Sequence, residues 1–266
     1  MPNDRFLAYS SVLSGSDLQS VNDYVGFSPS SIPGLALWLD ADDETTFTFS
    51  SGTLVSQWDD KSGEDNHVTQ GTAASQPSRD AATLNGKAVV TFDGANDRMV
   101  TGANALGTVN QLAFVGVVKF ATRANSDEYD YFYGVSGGTA SAGAVVSFSY
   151  ANPGASSYTG KYYLYGGGAV FTGPTLTQGS PFVFSQIAQT AAPRHQLYID
   201  GVSQTVDAYT DTLSATGTLT LGNTGIGGVN HPFNGYLAEG CWYVNSPLSE
   251  DNRTELEAYL ATKWGL

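Results

Sequence analysis

The chain has 266 residues, 41% of them hydrophobic and only 14% charged, with a net charge of −14 at neutral pH. That is enough apolar material for a sizeable core, and one all-β domain can run to this length. The acidity argues against a nucleic-acid binder, which needs a basic footprint, and against docking on anionic lipid. It suits plain solubility, a cation site or a neutral-sugar surface. The 31 glycines and 15 tyrosines, with abundant Ser and Thr, favour short strands and tight turns, and 12% aromatic residues is too many for a disordered chain.

Residues 1–31 differ from the rest. Met1–Gly15 lacks the basic start and apolar core of a signal peptide, and no run reaches the roughly 20 apolar residues of a membrane span. A soluble protein outside the general secretory route is expected, unless a leader has been trimmed. An extracellular-looking composition of that kind fits a virus particle released by lysis. Leu18, Val21 and Val25 have helical spacing, so Asp17–Phe27 is a candidate short helix, broken by Ser28-Pro29-Ser30-Ser31-Ile32-Pro33-Gly34. Residues 1–31 thus read as an arm and linker, either a floppy terminus or a peptide that anchors the chain to a larger assembly. Residues 32–266 read as one domain.

From Leu35 the pattern turns to β. Leu35, Leu37 and Leu39 alternate with Ala36, Trp38 and Asp40, and strands follow at Thr45–Phe49, Leu54–Trp58 and Val89–Phe92. Leu112–Phe120 is almost continuously apolar, as a strand covered on both faces would be. Further strands are expected at Tyr129–Val135, Ala144–Tyr150, Lys161–Tyr165, Phe182–Ala188, His195–Ile199, Thr218–Leu221 and Tyr236–Val244. Asp200-Gly201 supplies a tight hairpin turn, with Ser203–Val206 as the returning strand. Many short strands at this spacing indicate a sandwich or barrel. The one clear helix begins at the N-cap Ser249, carries Glu250 and Asp251 in its first turn, and presents Leu256, Tyr259, Leu260 and Trp264 on one face before Gly265 ends it. Cys241 is the lone cysteine, so no intrachain disulfide forms, and its apolar setting suggests a buried thiol.

Few segments could carry chemistry. Glu128-Tyr129-Asp130-Tyr131-Phe132-Tyr133 approaches the Glu-x-Asp-x-x-Glu strand of sandwich-fold glucanases, but Tyr133 stands where a third carboxylate would be. Retaining hydrolysis needs an acid and a nucleophile about 5–5.5 Å apart, so no catalytic residue is assigned. His67, His195 and His231 lack metal-ligand spacing, and no nucleophile elbow, P-loop or zinc-protease motif occurs. Gly222–Gly228 is glycine-rich but precedes no helix. No cofactor is required, although calcium is an option at the acidic turns Asp40–Glu44 and Asp93–Asp97, with Asp93 and Asp97 as ligands. Sugars stack on exposed aromatic rings while nearby acids hold their hydroxyls. By the period-two rule Tyr129, Tyr131 and Tyr133 share one strand face, as do Tyr163 and Tyr165. Tyr129, Asp130, Tyr131, Tyr163 and Tyr165 are the candidate sugar contacts.

Several motifs together resemble the laminin-G-like, concanavalin A-like jelly-roll domains. Ile32-Pro33-Gly34-Leu35-Ala36-Leu37-Trp38-Leu39-Asp40-Ala41 resembles their opening strand. Trp58-Asp59-Asp60-Lys61-Ser62-Gly63 resembles their W-x-D-x-S-G loop, continued by Asn66 and Gln70. Val90–Asp97 is similar to their F-D-G-x-x-D turn, and Leu197–Gly201 to their L-Y-x-D-G hairpin. Tyr259–Gly265 is similar to their closing Y-L-x-x-K-W-G helix. The resemblance spans Pro33 to Leu266 and implies an all-β, two-sheet antiparallel sandwich with a short C-terminal helix and, often, a sugar- or protein-binding edge.

Such domains recur in tailed-phage virion proteins and on bacterial surfaces. The resemblance therefore leads to the expectation of a non-enzymatic phage virion surface protein, a head fibre, decoration protein or tail adhesin. Residues 1–31 would contact other virion proteins, and the jelly roll, oligomeric on the particle, would bind cell-surface glycan. Membrane insertion and nucleic-acid binding are not expected. A glycoside hydrolase or lyase of the same fold, a structural capsid cement and a bacterial surface location are the alternatives. Within the domain, Trp58, Asp59 or Asp60, and Ser62 are expected to form a structural latch, with Trp264 packing the helix down.

Overall fold

The computed structural model describes residues 26–122, 129–136, 146–151, 161–166, 169–175, 177–189, 195–204, 215–222 and 232–266. In chain order the strands are β1 (Leu35–Asp40), β2 (Phe47–Ser51), β3 (Leu54–Trp58), β4 (Val68–Thr69), β5 (Ser78–Leu84), β6 (Lys87–Asp93) and β7 (Met99–Val100). Then come β8 (Thr108–Val109), β9 (Leu112–Phe120), β10 (Tyr129–Ser136), β11 (Val146–Ala151), β12 (Lys161–Gly166) and β13 (Ala169–Thr175). The last are β14 (Phe182–Ala188), β15 (His195–Ile199), β16 (Val202–Gln204), β17 (Ala215–Thr216), β18 (Thr218–Leu221) and β19 (Asn234–Val244), followed by the helix α1 (Glu250–Trp264).

Two antiparallel layers result, the all-β sandwich expected from the sequence. In the first, β16, β15, β14, β9 and β19 pair in succession, and the far edge of β19 takes β6 along Asn234–Leu237 and β1 along Glu239–Tyr243. In the second, β2, β3, β4, β7, β18, β10, β11, β12 and β13 pair in succession. β5 hairpins with β6 and touches β3 at Leu54–Ser78, joining the layers at one side.

The core lies between these layers. Phe114 of β9 packs on Tyr133 of β10 with ring centroids 5.1 Å apart and on Trp242 of β19 at 4.8 Å. Those rings need space, which explains a glycine pair. Gly116 and Gly240 face each other across β9 and β19. A Cβ on Gly240 would come within 2.8 Å of the Trp242 ring, and one on Gly116 within 2.5 Å of the Phe114 ring.

Most expected strands are found, several at the expected bounds. The expected strand at Thr45–Phe49 starts later, because Glu44–Thr46 is a 3-10 turn capped by the Asp43 carboxylate. β5 and β13 are strands that the sequence reading passed over. Asn85-Gly86 marks the first: both residues have positive φ, 50° and 83°, as a two-residue hairpin turn demands. Asp200-Gly201 does the same at the expected hairpin, with φ of 48° and 75°. α1 is capped as expected, Ser249 Oγ accepting from the Asn252 N–H and Gly265 closing it in the left-handed region. Leu256, Tyr259, Leu260 and Trp264 are all buried.

The approach to β1 is tied to the sandwich. Tyr243 donates its hydroxyl to the Pro29 carbonyl at 3.0 Å, Ile32 is buried, and Phe27 packs on Tyr259 of α1. The candidate helix at Asp17–Phe27 and the rest of the arm up to residue 25 lie outside the described residues.

Candidate functional site

The loop between β3 and β4 is the first place to test, since it combines an aromatic with two aspartates. Trp58 is fully buried and stacks on Phe47 at 5.0 Å. Asp60 accepts four hydrogen bonds. Its Oδ1 takes the N–H groups of Trp38 (2.9 Å) and Ser62 (2.8 Å), and its Oδ2 takes the Ser62 hydroxyl (2.6 Å) and the Asn66 N–H (3.0 Å). The Lys61 N–H donates to the Trp38 carbonyl, and Asn66 Nδ2 to the Ala36 carbonyl at 2.7 Å. The loop thus satisfies the edge groups of β1 that no strand pairs, which an exposed strand edge would leave open. Asp59 has a smaller part, accepting from Gln57 Nε2. Asp60 is therefore the aspartate that closes the latch, and its oxygens are committed to the fold.

A second cluster, missed in the sequence, lies under α1. Glu239 of β19 is fully buried. Its Oε1 accepts from Trp38 Nε1 (2.8 Å) and the Tyr259 hydroxyl (3.1 Å), and its Oε2 from Trp264 Nε1 (2.9 Å) and Lys263 Nζ (2.6 Å). Lys263 also reaches Asp40 at 2.8 Å, and Lys61 bridges Asp40 and Asp43 at 2.9 and 2.8 Å. Burial and the nearby Asp40 charge push the Glu239 carboxyl up despite the opposing Lys263. For Lys263, burial works against the charge, but Glu239 and Asp40 outweigh it and raise its pKa. Two carboxylates flanking one ammonium could pass for an acid–base pair, yet both are sealed beneath the helix and fully bonded. Nothing in the sequence around Glu239 marked it, because it stands inside an apolar strand.

The expected sugar contacts divide. Asp130 and Tyr131 are not on an open face: Asp130 is 0% exposed and Tyr131 6%. The segment leading into β19 closes over them, with Pro232 bridging Tyr131 and the Asn234 N–H donating to Asp130 Oδ1. Nor do Tyr131 and Tyr133 share a face. A bulge at Phe132 shifts the register between Tyr131 and Tyr133, so they pair with successive residues of β11, Ser149 and Phe148. Tyr133 faces the core and donates to Gln186 Oε1 at 2.7 Å, and burial holds its hydroxyl well above the usual pKa. A carboxylate at that place would be buried in aromatics. Glu128 lies outside the described residues, as do the side chains of Tyr129, Tyr163 and Tyr165.

Backbone register nevertheless fixes which residues share a face on β11–β13. The row through Tyr133 runs Phe148, Leu164, Phe171. The rows on either side run Ser149, Tyr163, Thr172 and Ser147, Tyr165, Val170. Successive residues alternate faces, so the first row lies on one face and the other two on the opposite face. Those two rows hold two tyrosines, two serines, a threonine and a valine on three adjacent strands.

The calcium expectation fares less well at the Asp93–Asp97 turn. Asp97 Oδ2 accepts the Asp93 N–H at 2.9 Å, and Asp93 Oδ1 accepts from the Ala95 and Asn96 N–H groups. These carboxylates hold backbone donors. Burial, with some repulsion from Asp93, raises the Asp97 carboxyl to about 6. Around Asp40, Asp42 and Asp43 the acids are paired with Lys61, Lys87 and Lys263. Among the described residues no three His, Cys, Asp or Glu side chains come together as a metal set. Of the histidines, His67 Nδ1 accepts the Asp60 N–H at 3.0 Å, His195 is buried, and His231 lies outside the described residues, as does most of Gly222–Gly228. Cys241 is buried, and burial pushes its thiol up.

No known protein family and no curated protein sequence matches the chain. Solved structures do. A sialidase from Trypanosoma rangeli in complex with sialic acid superposes with a TM-score of 0.59 at 13% identity, over 92% of this chain and 37% of the sialidase. Domain 4 of AbnA, a GH43 extracellular arabinanase from Geobacillus stearothermophilus in complex with arabinotriose, superposes with a TM-score of 0.52 at 17% identity, over 84% of this chain and 98% of that domain. The binding domain of Paraclostridial Mosquitocidal Protein 1 gives 0.55 at 9% identity, over 88% and 52%. At these identities the likeness is one of fold, a β-sandwich. The chain spans little more than a third of the sialidase it matches.

Proposed function

We propose that this chain is a non-catalytic carbohydrate-binding sandwich displayed on a phage particle, as a head fibre, decoration protein or tail adhesin. Residues 1–31 anchor it to other virion proteins, and several copies raise a weak glycan affinity by avidity. The observation that carries the sugar reading is the register on β11–β13, which puts Tyr163 and Tyr165 on one face with Ser147, Ser149 and Thr172. Flat aromatic faces beside hydroxyls are what a neutral sugar needs: apolar stacking and hydrogen bonds.

The fold gives general support, since domain 4 of the arabinanase, described with arabinotriose, matches along nearly its whole length. The buried carboxylates support a non-catalytic role. Asp40, Asp60, Asp97, Asp130, Glu239 and Glu257 each accept from a backbone N–H or a cation. A glycan array with purified protein tests this reading. Binding that Tyr163→Ala and Tyr165→Ala weaken without lowering Tm is expected; no glycan bound at any density would favour a structural cement. Polysaccharide turnover lost in Glu128→Gln would replace the proposal with a hydrolase or lyase. Deleting residues 1–31 is expected to abolish particle attachment and leave a folded domain; retained attachment would refute the anchor.

A further inference from the structure

The sequence holds two Asn-Gly pairs, Asn85-Gly86 and Asn234-Gly235, and the fold treats them in opposite ways. Asn-Gly is the pair most given to losing ammonia without an enzyme, because glycine has no side chain to shield its backbone nitrogen from the asparagine amide. Gly235 lies inside the first layer, paired to Phe92 of β6 on one side and to Phe120 of β9 on the other. A Cβ there would run into the Lys119 carbonyl oxygen, so the backbone has no room to turn. Asn85-Gly86 is the tip of the β5–β6 hairpin. Both residues are exposed, and a Cβ on Gly86 would meet nothing within 4 Å.

Asn85 also has a second task. Its Nδ2 donates to the carbonyls of Trp264 (2.7 Å) and Gly265 (3.1 Å) at the end of α1. Helix ends leave carbonyls without intrahelical donors, and the negative end of the helix dipole favours a donor there. The same last turn carries Lys263 and Trp264, which hold Glu239. This amide therefore links an exposed turn to the seam under α1.

We propose that Asn85 is a site of self-modification, gated by the end of α1. When the last turn frays, the side chain leaves the two carbonyls and its Cγ becomes open to attack. The Gly86 nitrogen bonds to Cγ, the Cγ–Nδ2 bond breaks, and ammonia departs with the Gly86 proton. Water then opens the succinimide ring at either carbonyl, to aspartate or isoaspartate. Both products carry a carboxylate in place of the donor. A carboxylate only accepts, so it repels the carbonyls that the amide held and opposes the helix dipole. Lys87, the nearest cation along the chain, is already bound to Asp42 at 2.6 Å. The modified chain keeps its sandwich but holds the end of α1 more loosely, a change set by the age of the molecule. None of this depends on the sugar reading.

The test is mass spectrometry on the full chain, aged in heavy-oxygen water at mildly alkaline pH. Trypsin releases Asp80–Lys87, in which Asn85 is the sole asparagine. Heavy oxygen is expected to enter at Asn85 roughly tenfold faster than at Asn234, or more, since a helix end opens more cheaply than a strand paired on both sides. Equal rates would overturn the proposal. Gly265→Ala tests the gate, because its Cβ would come within 2.8 Å of Asn85 Nδ2 and displace the amide. Faster conversion at Asn85 with Asn234 unchanged is expected; an unchanged rate at Asn85 would refute the gating. Asn85→Asp supplies the aspartyl product directly, and the aged, converted chain supplies it without a mutation. In both, amide hydrogen exchange is expected to quicken across residues 261–266; unchanged exchange there would refute the loosening.

Discussion

The seam beneath α1 and the face of β11–β13 use polar residues in opposite ways. In the seam, Asp60, Asp40, Glu239 and Lys263 are buried or half-buried and spend their hydrogen bonds on one another, on indole N–H groups and on the edge of β1. On β11–β13, Ser147, Ser149, Tyr163, Tyr165 and Thr172 fall in register rows that alternate with the row through Tyr133. On the proposed reading, the most conspicuous motif in the chain serves the fold and the site lies elsewhere. Clustered charge beside an aromatic marks either a fold under tension from burial or a place that meets a ligand, and only the partners tell which.

Breaking the seam is expected to have the largest effects. Trp58→Ala removes a fully buried indole and should cost about 3–5 kcal/mol, a large share of the roughly 5–15 kcal/mol of an ordinary domain, seen as a much lowered Tm by circular dichroism. Trp264→Ala should cost a similar ~3–5 kcal/mol and in addition removes a donor to Glu239. Lys263→Met leaves Asp40 and Glu239 facing each other without their shared cation, expected at about 3–5 kcal/mol in denaturant melts. Adding Glu239→Gln to that variant should recover part of the loss, giving a non-additive double-mutant cycle. Strict additivity would mean that the network does not act as a unit.

Smaller effects sharpen the picture at the turn after β6. The folded pKa of Asp97 is about 6 against an ordinary 3.8, so the folded state holds this proton more tightly than the unfolded chain. The associated stability is present at low pH and is lost as pH rises from near 3.8 through 6. Asp97→Asn should therefore flatten the Tm profile over that window while keeping an acceptor for the Asp93 N–H. On the β11–β13 face, Tyr163→Ala and Tyr165→Ala should leave Tm nearly unchanged and weaken glycan binding by about 2 kcal/mol, roughly 30-fold in Kd, if each ring is a binding anchor.

Much of the fold was legible in the sequence. Alternation in Leu35–Leu39, the unbroken apolar run Leu112–Phe120, the Asp200-Gly201 turn and the capped helix all follow local rules, and local rules held. The Trp58 loop was legible as a latch, and the structure decides for Asp60 over Asp59. β5 was legible in principle, through Asn85-Gly86. The rest depended on contacts far apart in the chain. Glu239 meets Trp38 across 201 residues, and no local pattern distinguishes a buried, fully paired glutamate from an edge residue. Asp130 and Tyr131 satisfied the pattern for an exposed strand face, but one extra residue at Phe132 and the cover from Pro232 and Asn234 put them inside. A period-two argument fails wherever a bulge intervenes.

The most direct test of the division between seam and face is calorimetric titration of the array-selected glycan into Tyr163→Ala/Tyr165→Ala and, in parallel, Asp60→Asn. The double tyrosine variant is expected to lose detectable heat while melting like the unaltered chain, and Asp60→Asn to bind normally with a lowered Tm. Retained binding in the tyrosine variant, or binding lost in Asp60→Asn with Tm unchanged, would contradict that division and make the Trp58–Gly63 loop the site.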